Sequence, residues 1–157
     1  MLIERISERL LERHWHLAVA ESATGGLMGH QITRVPGSSR YFLGGVIAYA
    51  NEVKESALNV RRESLLRWGA VSAQVAMEMA TGARQLTGAE VALSTSGIAG
   101  PTGATPEKPI GLYYVGLATP EERWCWRHVF GDDRHDNNER AARAAFNHLL
   151  MILKGVS

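Results

Sequence analysis

Apolar residues recur at helical spacing from the first residues of the chain. Leu2, Ile3, Ile6, Leu10 and Leu11 fall on one side, with Glu4, Arg5, Glu8, Arg9 and Glu12 on the other. That pattern predicts an amphipathic helix of about three turns. Leu17-Ala18-Val19-Ala20 is a short continuous apolar run, the mark of a buried strand. Small and polar residues interrupt the pattern from Glu21 to Gly26, and Leu27 to Ile32 resumes it as a helix. A turn at Pro36-Gly37-Ser38-Ser39 opens an apolar segment rich in β-formers, which runs to Tyr49 and closes on Asn51. A short helix over Glu52 to Leu58 follows, with Asn51 as candidate N-cap.

Val60 to Trp68 reads as another short helix stopped by Gly69. A longer one follows, capped by Ser72, with Val75, Met79, Ala83 and Leu86 along one face. Ala89 to Ser96 is a second buried strand, and Gly97 to Pro109 is a long loop dense in glycine, proline and hydroxyls. Ile110 to Ala118 and Trp124 to Phe130 alternate as a hairpin around Pro120-Glu121-Glu122. The last helix is expected from about Asn137 to Lys154, with Ala141, Ala145, Leu149 and Ile152 inward. Strands alternating with helices, plus one late hairpin, predict an α/β fold: a layered α/β/α domain with a mixed central sheet.

Composition narrows the class. At 157 residues the chain fits one domain, residues 1–157, with an ordinary soluble balance of 45% hydrophobic and 21% charged residues. A formal net charge of +1 gives no case for direct nucleic-acid binding. The one cysteine, Cys125, excludes an internal disulfide and a Cys-rich zinc site, and fits a cytoplasmic protein. No apolar run reaches the length of a membrane span, and the charged N-terminus does not read as a secretory signal. His14 and His16 have no companion ligand cluster, so no metal is expected.

Candidate chemistry gathers in four places. Ser38 and Ser39 sit in the turn before the strand that leads to Lys54, and a serine near a lysine is a known arrangement for amide hydrolysis. A helix start and partial burial both favour the neutral form of Lys54, which makes it a plausible base. Glu21-Ser22-Ala23-Thr24-Gly25-Gly26 follows a strand and opens a helix, placing backbone N–H groups where a phosphate or carboxylate is welcome. The loop from Gly97 through Gly100 offers N–H groups for an anion or oxyanion. Arg134 and Arg140 flank the start of the last helix and suit a phosphate.

Six segments in order resemble the C-terminal domain of the competence/damage-inducible protein CinA, also found as the stand-alone nicotinamide-nucleotide amidase PncC. They are Glu21 to Gly26, Pro36 to Ser39, Tyr49 to Lys54, Gly69 to Ser72, Ser96 to Pro101, and Lys108 to Gly111. The resemblance implies hydrolysis of nicotinamide mononucleotide to nicotinic acid mononucleotide and ammonia in pyridine nucleotide recycling, without a cofactor. It implies a nucleophile at Ser39, activated by Lys54, with Tyr49 and Ser96 alongside and Ser22 as a second candidate hydroxyl. Glu21, Ser22, Thr24, Gly25, Gly26, Asn51, Gly97, Gly100 and Arg134 are the substrate-binding residues it implies, and self-association is expected. Ala23 stands where many relatives have cysteine. Nucleotide pyrophosphatase activity belongs to the other half of full-length CinA and is not implied. The second reading is a nucleotide-binding or regulatory module linked to competence or DNA damage, with little turnover.

Overall fold

The computed structural model describes residues 1–155. Its elements are α1 (Leu2–Arg13), β1 (Leu17–Glu21), α2 (Leu27–Thr33), a 3-10 turn (Ser38–Arg40), β2 (Phe42–Ile47), α3 (Asn51–Leu58), α4 (Arg62–Trp68), α5 (Ala73–Thr87), β3 (Val91–Gly97), β4 (Leu112–Ala118), β5 (Arg123–Val129) and α6 (Arg134–Leu153). The five strands form one sheet in the order β2-β1-β3-β4-β5. β2, β1 and β3 run parallel, while β4 and β5 return antiparallel. This is the layered α/β arrangement with a mixed sheet that the alternation of elements predicts.

The two faces of the sheet are chemically unequal, and the alternation within each strand makes them so. Leu17, Val19, Val91, Leu93, Val115 and Leu117 point to α1, α2 and α6, where they meet Ile6, Leu10, Met28, Ile32, Phe146 and Leu149. Their neighbours Ala18, Ala20 and Ala92 point the other way, toward Leu58 of α3 and Val75, Met79 and Ala83 of α5. Small residues on that face let α5 lie close against the strands. At Gly116 a β-carbon would collide with the Ala76 carbonyl and the Ser94 hydroxyl.

Because three adjacent strands are parallel, their carboxyl ends share one edge of the sheet. Glu21 is paired with Ile47 on one side and Thr95 on the other. The residues that follow each strand, Ser22, Ala48 to Lys54 and Gly97 onward, therefore meet at that edge. Ligands of open α/β sheets bind in this position.

Three local expectations are corrected. α6 starts at Arg134 rather than Asn137, because Asp133 caps it and accepts from the Asp136 N–H at 2.8 Å. The apolar stripe begins later than the helix does. Asn51 is the first helical residue of α3, and the N-cap is Ala50, whose carbonyl takes the N–H groups of Val53 and Lys54 at 3.2 Å. Leu86 in the last turn of α5 is exposed and does not join the core.

Substituting Gly116→Val is expected to lower stability by about 2 kcal/mol or more, since the helix cannot move off the strand without opening the core. Chemical denaturation of the two proteins checks it.

Candidate active site

Lys54 lies in the first turn of α3, and helical side chains lean toward the N-terminus of their helix. Its amine therefore returns to the strand end from which the helix springs. Nζ lies 2.8 Å from the Ala48 carbonyl, 3.0 Å from the Tyr49 carbonyl and 3.0 Å from Ser22 Oγ, and the residue is only 1% exposed. Carbonyl oxygens accept and cannot donate, so two N–H bonds are committed to them. The remaining tetrahedral position faces Ser22. It holds an N–H when the amine is charged and a lone pair when it is neutral. In the neutral state the Ser22 hydroxyl donates to the amine, the geometry a proton transfer needs.

Ser22 follows β1 directly, and its own N–H donates to the Thr95 carbonyl at 3.0 Å, which ties it to β3. Burial pushes the Lys54 ammonium below its ordinary value, with Glu52 pulling weakly the other way. Both halves of the pair come from adjacent parallel strands, so the sheet itself sets their spacing.

The expected Ser39–Lys54 pair is not formed. Ser39 lies in the 3-10 turn ahead of β2, whereas Lys54 follows the far end of that strand. Six residues of extended chain separate the two ends by about 20 Å. The turn stays at the amino edge of the sheet, opposite the cleft.

A second correction concerns the loop from Glu21 to Gly26. The N–H groups of Gly26 and of the first turn of α2 are already occupied by the protein's own carboxyl, and the Gly25 N–H donates to the Ser22 carbonyl at 3.0 Å. Glu21 is buried and accepts from Gly26 N at 3.2 Å, Met28 N at 2.9 Å, Gly29 N at 3.0 Å and Thr24 Oγ1 at 2.7 Å. Thr24 also meets Thr95 Oγ1 at 2.7 Å. Glu21, Thr24, Gly25 and Gly26 thus build the scaffold behind Ser22 and do not line the cleft. The anion position at the start of α2 is filled from within.

The cleft itself has a volume of about 280 Å³, and Ser22, Tyr49, Asn51, Lys54, Ser96, Gly97, Gly100 and Arg134 all line it. Ser96 is buried and donates to the Ala70 carbonyl at 2.8 Å, which joins the wall to the chain before α5. Arg134 reaches over the mouth, with Nη1 donating to the Gly100 carbonyl at 2.7 Å and Nη2 to Tyr49 Oη at 3.1 Å. Tyr49 is 61% exposed at that rim. Arg140 turns away and pairs with Asp136 along α6 at 2.9 Å. Ala23, Ala70, Val71, Ile98, Ala99, Thr102 and Gly103 complete the lining. Of these, Ala23, Ala70, Val71, Ile98 and Ala99 fall in the segments Glu21 to Gly26, Gly69 to Ser72 and Ser96 to Pro101, while Thr102 and Gly103 fall in the long loop after β3.

A larger cavity of about 370 Å³ between α1, α2 and α6 shares no lining residue with this cleft and sets no nucleophile beside a base. Among the described residues no group of three or more His, Cys, Asp or Glu has metal-site geometry. No described helix is long and apolar enough to cross a membrane.

The arrangement defines a class: a layered α/β domain with a serine–lysine pair in a cleft at the carboxyl ends of parallel strands. Residues 1–153 match the model of the CinA C-terminal domain, and the chain belongs to that family. It is 50% identical over 140 residues to a CinA-like protein of Salinibacter ruber, covering 89% of this chain and 34% of that one. With a CinA-like protein of Thermotoga maritima the identity is 44% over 154 residues, 98% of this chain and 38% of that one. The chain thus spans about a third of the length of these relatives. Among solved structures, a competence-damaged protein (CinA) superfamily protein of Klebsiella pneumoniae superposes with a TM-score of 0.94 at 31% identity, covering 98% of this chain and 96% of that chain. The competence/damage inducible protein CihA of Agrobacterium tumefaciens gives 0.89 at 32% identity, with the same coverage.

Burial of Lys54 has a consequence for stability. Its folded pKa lies below the ordinary 10.5, so between the two values the unfolded chain holds a proton that the folded chain does not. Stability relative to Lys54→Met is therefore expected to rise with pH across that window and to level off above it. Paired denaturant titrations at a series of pH values check the slope.

Proposed function

We propose that this domain alone is an amidohydrolase that converts nicotinamide mononucleotide and water to nicotinic acid mononucleotide and ammonia, with Ser22 as nucleophile and Lys54 as base. The observation that carries the reading is the buried Lys54 amine, fixed by two carbonyls and 3.0 Å from Ser22 Oγ. A nucleotide-binding module without turnover has no use for a desolvated lysine aimed at a serine hydroxyl.

The chemistry follows from that contact. Neutral Lys54 takes the Ser22 proton as Oγ attacks the carboxamide carbon. As the tetrahedral adduct collapses, the C–N bond breaks and the Lys54 ammonium gives its proton to the departing nitrogen, which leaves as ammonia. Water then attacks the Ser22 ester, Lys54 accepts its proton, and that proton returns to Ser22 Oγ as the acid is released. Each cycle consumes one water and restores both side chains. Arg134, with donors left beyond its two protein contacts, suits the phosphate of the substrate, and Tyr49 stands beside it at the mouth. Self-association belongs to the same reading through the family.

Ammonia release from nicotinamide mononucleotide tests the assignment. Ser22→Ala and Lys54→Ala are each expected to lose at least about 10³-fold in kcat, as removal of a nucleophile or its base does. Ser39→Ala is expected to stay within about twofold of the unaltered protein, since a surface turn away from the cleft contributes nothing to the reaction. Full activity in Ser22→Ala, with loss in Ser39→Ala, would reverse the reading.

Arg134→Ala is expected to raise KM roughly tenfold with a smaller change in kcat, the signature of a lost ground-state contact. Steady-state kinetics on the same substrate measures the split.

A further inference from the structure

Asn137 is fully buried in the first turns of α6, yet it does not line the cleft. Its side chain makes three hydrogen bonds. Oδ1 accepts from the Gly131 N–H at 2.9 Å, and Nδ2 donates to the Gly131 carbonyl at 3.1 Å and to the Ala99 carbonyl at 3.1 Å. The first two clamp the turn ahead of α6. The third reaches into the loop after β3, which forms a wall of the cleft.

That third bond fixes a direction. In a trans peptide the carbonyl and the following N–H point opposite ways. The Ala99–Gly100 peptide is trans, since among the described residues only Gly100–Pro101 is cis. With the Ala99 carbonyl drawn to Asn137, the Gly100 N–H must face away from α6. One residue earlier the Ile98 carbonyl is held by the Gly111 N–H at 2.7 Å, which turns the Ala99 N–H away from β4 in the same manner. Neither the Ala99 nor the Gly100 N–H donates to another described residue, although both residues are buried and both line the cleft. Buried backbone donors without a partner are rare in folded proteins.

The backbone at 100 admits only glycine. Its φ is +85°, and a β-carbon there would lie 2.6 Å from Ile110 Cγ2. The close approach packs this part of the cleft wall against Ile110.

We infer that Asn137 is a positioning residue, which holds the Ala99–Gly100 peptide with its N–H turned into the cleft as an oxyanion donor for the tetrahedral adduct on Ser22. The inference rests on the amidohydrolase reading. The donor acts where charge develops, so its effect falls on the chemical step and not on substrate binding.

Steady-state ammonia release by the whole chain separates the outcomes. Asn137→Ala and Asn137→Asp are expected to lower kcat tenfold or more, with KM within about twofold of the unaltered protein. Because Asn137 is buried, a full-length chain assembled with glycolate in place of Gly100 supplies an independent variant. It removes the N–H and also weakens the Ala99 carbonyl that Asn137 holds, and it is expected to lose about 10²-fold or more in kcat with KM kept. If Asn137→Ala does not fold, the glycolate chain decides. Unchanged kcat in the glycolate chain, or a rise in KM alone, overturns the inference while leaving the amidohydrolase reading intact. No turnover by the unaltered chain overturns both, and that result is seen before any variant is made.

Discussion

An amine held away from water is the constraint on which this domain is built. Lys54 has three places to direct hydrogen bonds, and the fold supplies one partner for each: the carbonyls of Ala48 and Tyr49 and the hydroxyl of Ser22. Burying an ammonium without such partners would cost several kcal/mol. The carbonyls are available because β2 ends at Ile47 and the chain turns before α3 begins. The hydroxyl is available because β1 ends beside it. Parallel pairing is therefore a requirement of the site, since only parallel neighbours bring both ends to the same edge.

The unequal faces of the sheet serve the same purpose. Bulky residues on the side of α6 form the main core, and alanines with Gly116 on the other side bring α5 close. That approach carries the chain ahead of α5 toward the cleft, where the Ala70 carbonyl meets Ser96. The loop after β3 is in turn fixed from α6 by Arg134 and Asn137. Two helices on opposite layers thus brace one cleft.

Much of this architecture was legible because periodicity reports burial, and burial decides which elements form. The β1 run, the Ser72 cap and the late hairpin all follow from local chemistry. Lys54 was legible as a candidate base from its place at a helix start. Its partner was legible only as a choice of Ser39 first and Ser22 second, because a turn with two hydroxyls near in sequence suits the role as well as one serine after a strand does. Strand direction separates the two, and direction is a property of pairing that no local pattern carries. Asn137 was missed for a related reason: one asparagine among polar residues at a helix start reads as solvated until its partners on two other loops are known. The loop after Glu21 was read as open to an anion because sequence shows which N–H groups are free of helix bonds, without showing which acid will reach them.

That acid has a further meaning. With its own carboxyl seated at the start of α2, the protein has no vacancy there for inorganic phosphate or for the phosphate of a nucleotide. The loop behind Ser22 is consequently tied down before any ligand arrives, and the Ser22 hydroxyl stands on a finished platform. Under the proposed reading, a nucleotide would direct its phosphate away from α2, toward the rim where Arg134 lies. An anion that enters the cleft thus finds the start of α2 already taken by the protein's own side chain.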